Sequence, residues 1–97
     1  MMFTQSEIRF IFHGDPGHAW LEVPLSLIKE YGLEKDISSY SYVNEKSGMV
    51  FLEEDSDMPK FLKAFQRETG LIPDLFDSYT KSDSTVRQLP RYTGGQA

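Results

Sequence analysis

Residues 9–23, RFIFHGDPGHAWLEV, constrain the chain more than any other stretch, because apolar and polar residues alternate on both sides of a Gly-Asp-Pro-Gly turn. Gly supplies φ > 0, Asp hydrogen-bonds within its own turn, and Pro fixes φ without offering an amide, so residues 14–17 are predicted to be the loop of a β-hairpin. This sets His13 opposite His18, Phe12 opposite Ala19, Ile11 opposite Trp20, Phe10 opposite Leu21 and Arg9 opposite Glu22. Alternation then gives one face of Ile8, Phe10, Phe12, Ala19, Leu21 and Val23. The other face carries an Arg9–Glu22 ion pair, an Ile11–Trp20 contact and two histidines at the tip.

The remaining elements follow from the hairpin in order. Residues 1–6 read as a frayed lead into the first strand. Pro24 suits a helix start, and Leu25, Ile28 and Tyr31 form a short apolar stripe ended by Gly32. SYSYVNEKSGMVFLE at 39–53 reads as a second hairpin with its loop at 44–48 and Val43 opposite Met49. That register groups Tyr40, Tyr42, Val50 and Leu52 on one face and Ser41, Val43, Met49 and Phe51 on the other. Both faces are apolar, which predicts a central place in the sheet. Ser56-Asp57-Met58-Pro59 has the marks of a helix start, and Met58, Phe61, Leu62 and Phe65 give a helical stripe over about 57–69. No clean period emerges at 73–83. Residues 84–89 read as a last strand stopped by Pro90, and 93–97 as a loose tail. The whole is predicted to be an α+β chain: a single domain over 1–92, with a four- or five-stranded, mostly antiparallel sheet and two helices in the order ββα-ββα-β.

Composition bounds the chemistry. A chain of 97 residues supports one modest core. It has no Cys, which removes disulfides and Cys-based zinc sites. The start MMFTQSEIRF has neither a basic n-region nor a long apolar run, and no segment approaches the ~20 apolar residues of a membrane span, so the expectation is a cytoplasmic chain with no membrane partner. Net charge is −5, and residues 1–79 carry 7 Lys and Arg against 14 Asp and Glu, while residues 80–97 carry 3 against 1. An acidic body makes nucleic-acid backbone an unfavourable partner.

The segments HGDPGHAWLEV at 13–23, ISSYSY at 37–42, VFLEED at 50–55 and VRQLPRY at 86–92 together resemble a group of small uncharacterised proteins encoded by phages, prophages and plasmids. The resemblance extends over most of the chain. It implies a genomic setting and assigns no activity, cofactor or catalytic residue.

Several groups of residues could carry function. His13, His18 and the Asp15 between them offer imidazoles and a carboxylate to a metal or to acid–base chemistry, although a polar tip built on Asp-Pro-Gly is first of all turn chemistry. Glu53-Glu54-Asp55 resembles the carboxylates of Mg²⁺ sites, yet acids just before a helix also answer its dipole, and alternation sends Glu53 and Glu54 to opposite faces. Trp20, Tyr40 and Tyr42 could stack on a base or sugar; tyrosines in strands more often pack half-buried. Arg87, Arg91 and Tyr92 could touch an anionic partner or pair back onto the acidic body. Helices on one side of the sheet would leave Ile11, Trp20, Val43, Met49 and Phe51 on the other, which predicts a homodimer or partner interface anchored by Trp20.

Two functions follow as expectations. The first is a non-catalytic, cofactor-free acidic binding or inhibitor protein of a mobile genetic element, of the counter-defence kind (anti-CRISPR or anti-restriction), meeting a basic host or phage protein through Trp20, Ile11, Phe51, His13, His18, Glu53, Glu54 and Asp55. The second is a small metal-dependent or acid/base enzyme using His13, His18 and Glu54 or Asp55.

Overall fold

Alternation folds the first part of the chain back on itself: β1 (Thr4–Gly14) runs antiparallel to β2 (Ala19–Pro24) in the computed structural model, which describes residues 4–94. The expected lead at 1–3 and the end of the tail at 95–97 lie outside the described residues, and 4–6 belong to β1 rather than to a frayed lead. Ile11 pairs with Glu22, Phe12 with Leu21, His13 with Trp20 and Gly14 with Ala19, two residues away from the predicted ladder. The loop is residues 15–18. The Asp15 amide donates to the His18 carbonyl at 2.9 Å, and the Asp15 carboxylate accepts from the amides of Gly17 and His18. Asp15 therefore opens the turn itself, one residue later than predicted. A slip of two preserves the faces, so Phe10, Leu21 and Val23 are all buried on one side. The partners change: Arg9 Nε donates to Asp74 at 2.8 Å, Glu22 binds His13, and neither the Arg9–Glu22 pair, the Ile11–Trp20 pairing nor the His13–His18 pairing forms.

Pro24 caps α1 (Leu25–Glu30), which buries Leu25 and Ile28. Its end is a Schellman motif, with Leu33 N–H donating to Ile28 O and Gly32 N–H to Lys29 O, and Gly32 takes the required positive φ of 69°. The second hairpin, β3 (Tyr42–Asn44) and β4 (Met49–Glu53), pairs Val43 with Val50 and Asn44 with Met49, one residue from the predicted register. Asn44 joins the ladder while its side chain accepts from the amides of Lys46 and Ser47, so the loop shortens to four residues. One residue flips the faces. Val43, Val50 and Leu52 point to the helices, and Tyr42, Met49 and Phe51 to the other side.

The helix α2 (Met58–Thr69) lies where its stripe predicts and buries Phe61, Ala64 and Phe65. Phe10 meets Phe61 and Phe65 edge-on, at 5.4 and 5.6 Å between centroids. Gly70 ends the helix at φ 71° and turns the chain into β5 (Leu71–Tyr79), which runs parallel to β1. This strand was not legible, because its pairing slips at Pro73. Gln5 pairs with Ile72 and Arg9 with Asp74, leaving residues 6–8 opposite a proline that has no amide to give. Ile8, expected in the core, is exposed at that break.

The sheet order is β3-β4-β2-β1-β5. The fold is thus α+β with a five-stranded, mostly antiparallel sheet and two helices, as expected, although the second hairpin sits at one side of the sheet rather than at its centre. Residues 84–89 are not a strand: Thr85–Gln88 form a 3₁₀ turn capped by the Ser84 side chain. Around it, residues 83–92 cross the sheet face opposite the helices as a strap and bury Val86 against Trp20, Tyr42 and Phe51. The strap ends on the outer edge of β3, where Val43 N–H donates to Pro90 O and Tyr92 N–H to Ser41 O. The predicted free apolar face therefore does not exist as one surface. Trp20 is 2% exposed and Phe51 7%, Val43 belongs to the helix side, and Ile11 stays exposed on β1 beside Phe76. Among the described residues, no helix is long and apolar enough to cross a membrane.

Candidate functional site

Where the strap passes the hairpin tip, a cleft of about 470 Å³ opens, lined by His18, Trp20, Tyr40, Tyr42, Glu53, Asp55, Ser56, Arg87 and Arg91. Four pieces of chain build it: the β1–β2 loop, the approach to β3, the β4–α2 corner and the strap.

The strap wall rests on Asp15. Its carboxylate accepts from Arg87 Nε at 2.6 Å and Nη2 at 2.9 Å, and from the Ser84 amide at 2.9 Å, in addition to the two loop amides. The side chain is fully buried. The Arg87 guanidinium, followed by the Ser84 amide, holds the Asp15 carboxyl far below the usual carboxylate range, and the same pairing raises Arg87. A Cβ at Gly17 would stand 2.8 Å from Arg87 Nη2, so a larger residue there would push the guanidinium off Asp15. Fixed in this way, Arg87 lies over the Trp20 ring at 5.3 Å, and Arg91 over Tyr42 at 4.8 Å while donating to Ser39 O. Trp20 and Tyr42 meet edge to face at 6.0 Å and form the floor.

The opposite wall is the β4–α2 corner. Glu53 Oε1 accepts from the amides of Asp55 and Ser56 and from Ser56 Oγ, while its Oε2 lies 3.7 Å from His18 Nδ1. Beneath this corner, Asp57 is fully buried and receives Ser38 N and Oγ, Ser41 Oγ and Lys60 Nζ. Burial raises its pKa, but the hydroxyl and amide donors outweigh it, and the carboxyl ends below its ordinary value. Ser41 Oγ also accepts from the Glu53 amide, so one hydroxyl ties the approach to β3, the corner and α2 together. Asp55 and Tyr40 are exposed at the rim, Tyr40 by 66%.

Of the residues singled out from sequence, His18, Trp20, Glu53 and Asp55 converge in the cleft, with Tyr40, Tyr42, Arg87 and Arg91. His13, Phe51 and Glu22 line a different concavity beneath the strap, where His13 Nε2 and Glu22 are 2.7 Å apart. Glu54 is exposed and anchors only its amide, to Ala19 O. Ile11 lies outside both concavities, and Trp20 is a floor rather than a protruding anchor. The ligand set His13, His18 and Glu54 is not gathered at one point, and among the described residues no group of three or more His, Asp or Glu side chains is placed to hold a metal. Sequence reasoning missed Asp15 as the anchor of the strap and Asp57 as the anchor of the corner. Both read locally as turn and helix-cap residues, and their partners lie 69–72 and 16–19 residues away.

Asp15 gives a testable pH dependence. Its lowered pKa means the unfolded chain takes up a proton before the folded one, so its contribution is complete above the unfolded value of ~4 and is lost as pH falls below it. The stability difference between the protein and its Asp15→Asn variant is therefore expected to be widest at neutral pH and to narrow between about pH 4 and pH 2. Urea midpoints of the two proteins across that range check it; a difference that stays constant would remove the role given to Asp15.

Compared with protein-family models, with curated proteins and with solved structures, the chain matches none.

Proposed function

We propose that the protein works by binding rather than by catalysis, as an inhibitor protein of a mobile genetic element acting in the host cytoplasm on a basic host protein surface. The cleft carries this reading. It combines Trp20, Tyr40, Tyr42, Arg87 and Arg91, the residue types enriched at the centres of protein interfaces, with the exposed carboxylate of Asp55, on a chain of net charge −5. Arg87, Arg91 and Glu53 are held in place by their own hydrogen bonds, which suits recognition. The phage, prophage and plasmid resemblance supplies the setting, and opposite charge would favour fast encounter with a basic surface.

Affinity capture from host lysate tests it. The intact chain should retain a protein that Asp55→Lys and Tyr40→Ala variants release, and retention should weaken as salt rises. Capture that is indifferent to both substitutions would overturn the assignment of the cleft.

A further inference from the structure

The two walls of the cleft differ in charge. On the strap side stand Arg87 and Arg91, each lying over an aromatic ring. Arg87 commits Nε and Nη2 to Asp15 yet still lines the cleft with 31% of its side chain exposed, so a guanidinium edge is fixed in place before any ligand arrives. On the corner side, Glu53 is occupied by the amides of residues 55 and 56, whereas the Asp55 side chain is exposed. Between the walls lie the aromatic floor and the exposed ring of Tyr40.

A ligand that satisfies all of this carries an anion at one end, a hydrogen-bond donor at the other and a flat body between. A simple carboxylate or phosphate would engage the arginines but leave Asp55 to water, and a simple cation would meet two guanidiniums. A polymeric nucleic acid would bring its backbone charge against an acidic body. A single nucleotide fits: guanidinium forks bind phosphate, aromatic faces stack on bases, and a carboxylate accepts from an exocyclic amino group. The volume of about 470 Å³ lies within the ~300–1,000 Å³ of small-ligand pockets.

We propose that the cleft binds a single nucleoside phosphate whose base carries an exocyclic amino group, with the phosphate on Arg91 and Arg87, the base against Tyr40 and the amino group donating to Asp55. This rests on the cleft being the binding site and adds to the protein partner a small ligand that would occupy the same place.

Calorimetric titration of the purified protein with CMP, AMP, GMP, UMP and inorganic phosphate tests it without any host partner. At least one of CMP, AMP and GMP should bind about tenfold or more tightly than UMP, which presents a carbonyl where cytosine presents an amino group. Phosphate alone should bind more weakly still. Arg91→Ala and Tyr40→Ala should abolish nucleotide binding. Asp55→Ala should instead bring UMP level with the amino-bearing nucleotides, a change in preference that a merely structural role would not produce. Tyr40 and Asp55 are exposed, so unchanged thermal melts should accompany their substitution, whereas Arg91→Ala also removes the bond to Ser39 O and is compared at a temperature where circular dichroism shows it folded. Binding of UMP as tight as that of every one of CMP, AMP and GMP, phosphate binding as tight as any nucleotide (an adventitious ion only), or binding of oligonucleotides without mononucleotides would each overturn the proposal. So would the absence of any nucleotide binding; if a protein is then still captured through Tyr40 and Asp55, the binding function stands and only the nucleotide falls.

Discussion

Phe61→Ala is expected to cost about 3–5 kcal/mol, the range for deleting a large aromatic from a core that cannot collapse around the gap. Phe61 is 0% exposed, meets Phe10 edge-on and stacks obliquely on Tyr31 and Phe65, so the cavity would open between the sheet, α1 and α2 at once. A small domain has about 5–15 kcal/mol in all, and the variant should be partly unfolded under mild conditions. Urea denaturation followed by circular dichroism measures this. A loss under about 1 kcal/mol would mean that α2 does not pack on Phe10 as described.

Asp57→Ala should follow at about 3 kcal/mol, because it leaves the buried Ser41 hydroxyl and the partly buried amide and hydroxyl of Ser38 without an acceptor. Lys60 adds less, since its ammonium is partly solvated. Asp57→Asn keeps an acceptor and should cost roughly half as much. The same denaturation series separates the two; equal losses would show that charge, not acceptor geometry, holds the corner.

What was legible in the sequence was what depends on period. The stripe of α2, the alternation of β1 and β2 and the Gly-ended α1 each follow from local spacing, and each lies where it was expected. Registers were less legible, because they turn on single side chains that choose where a loop begins. Asp15 opens its turn one residue late because its carboxylate serves Gly17, His18 and the distant Arg87 together. Asn44 closes its own loop and shifts β3 against β4. The strand β5 stayed hidden because it pairs in parallel, at the edge, with a proline and acids inside it. The strap stayed hidden because a few residues of irregular chain carry no period. The cleft was legible as two sets of residues, Trp20, Tyr40 and Tyr42 as a stacking surface and Arg87 and Arg91 as an anion contact, but not as one place, since only the strap brings the two sets together.

The ion pair between Asp15 and Arg87 joins residues 72 apart, and that between Arg9 and Asp74 residues 65 apart. Contacts of such separation form late, because closing a long loop costs entropy before any contact repays it, and chains that depend on them fold slowly. Both hairpins and both helices can form from near neighbours. During synthesis the four strands before residue 54 can already pair while the strap has yet to leave the ribosome, so a nascent chain holds much of its sheet with Trp20 uncovered. The cleft is therefore complete only after residues 83–92 have docked, and the uncovered indole of a chain without them marks the interval in which it is most exposed to misassociation.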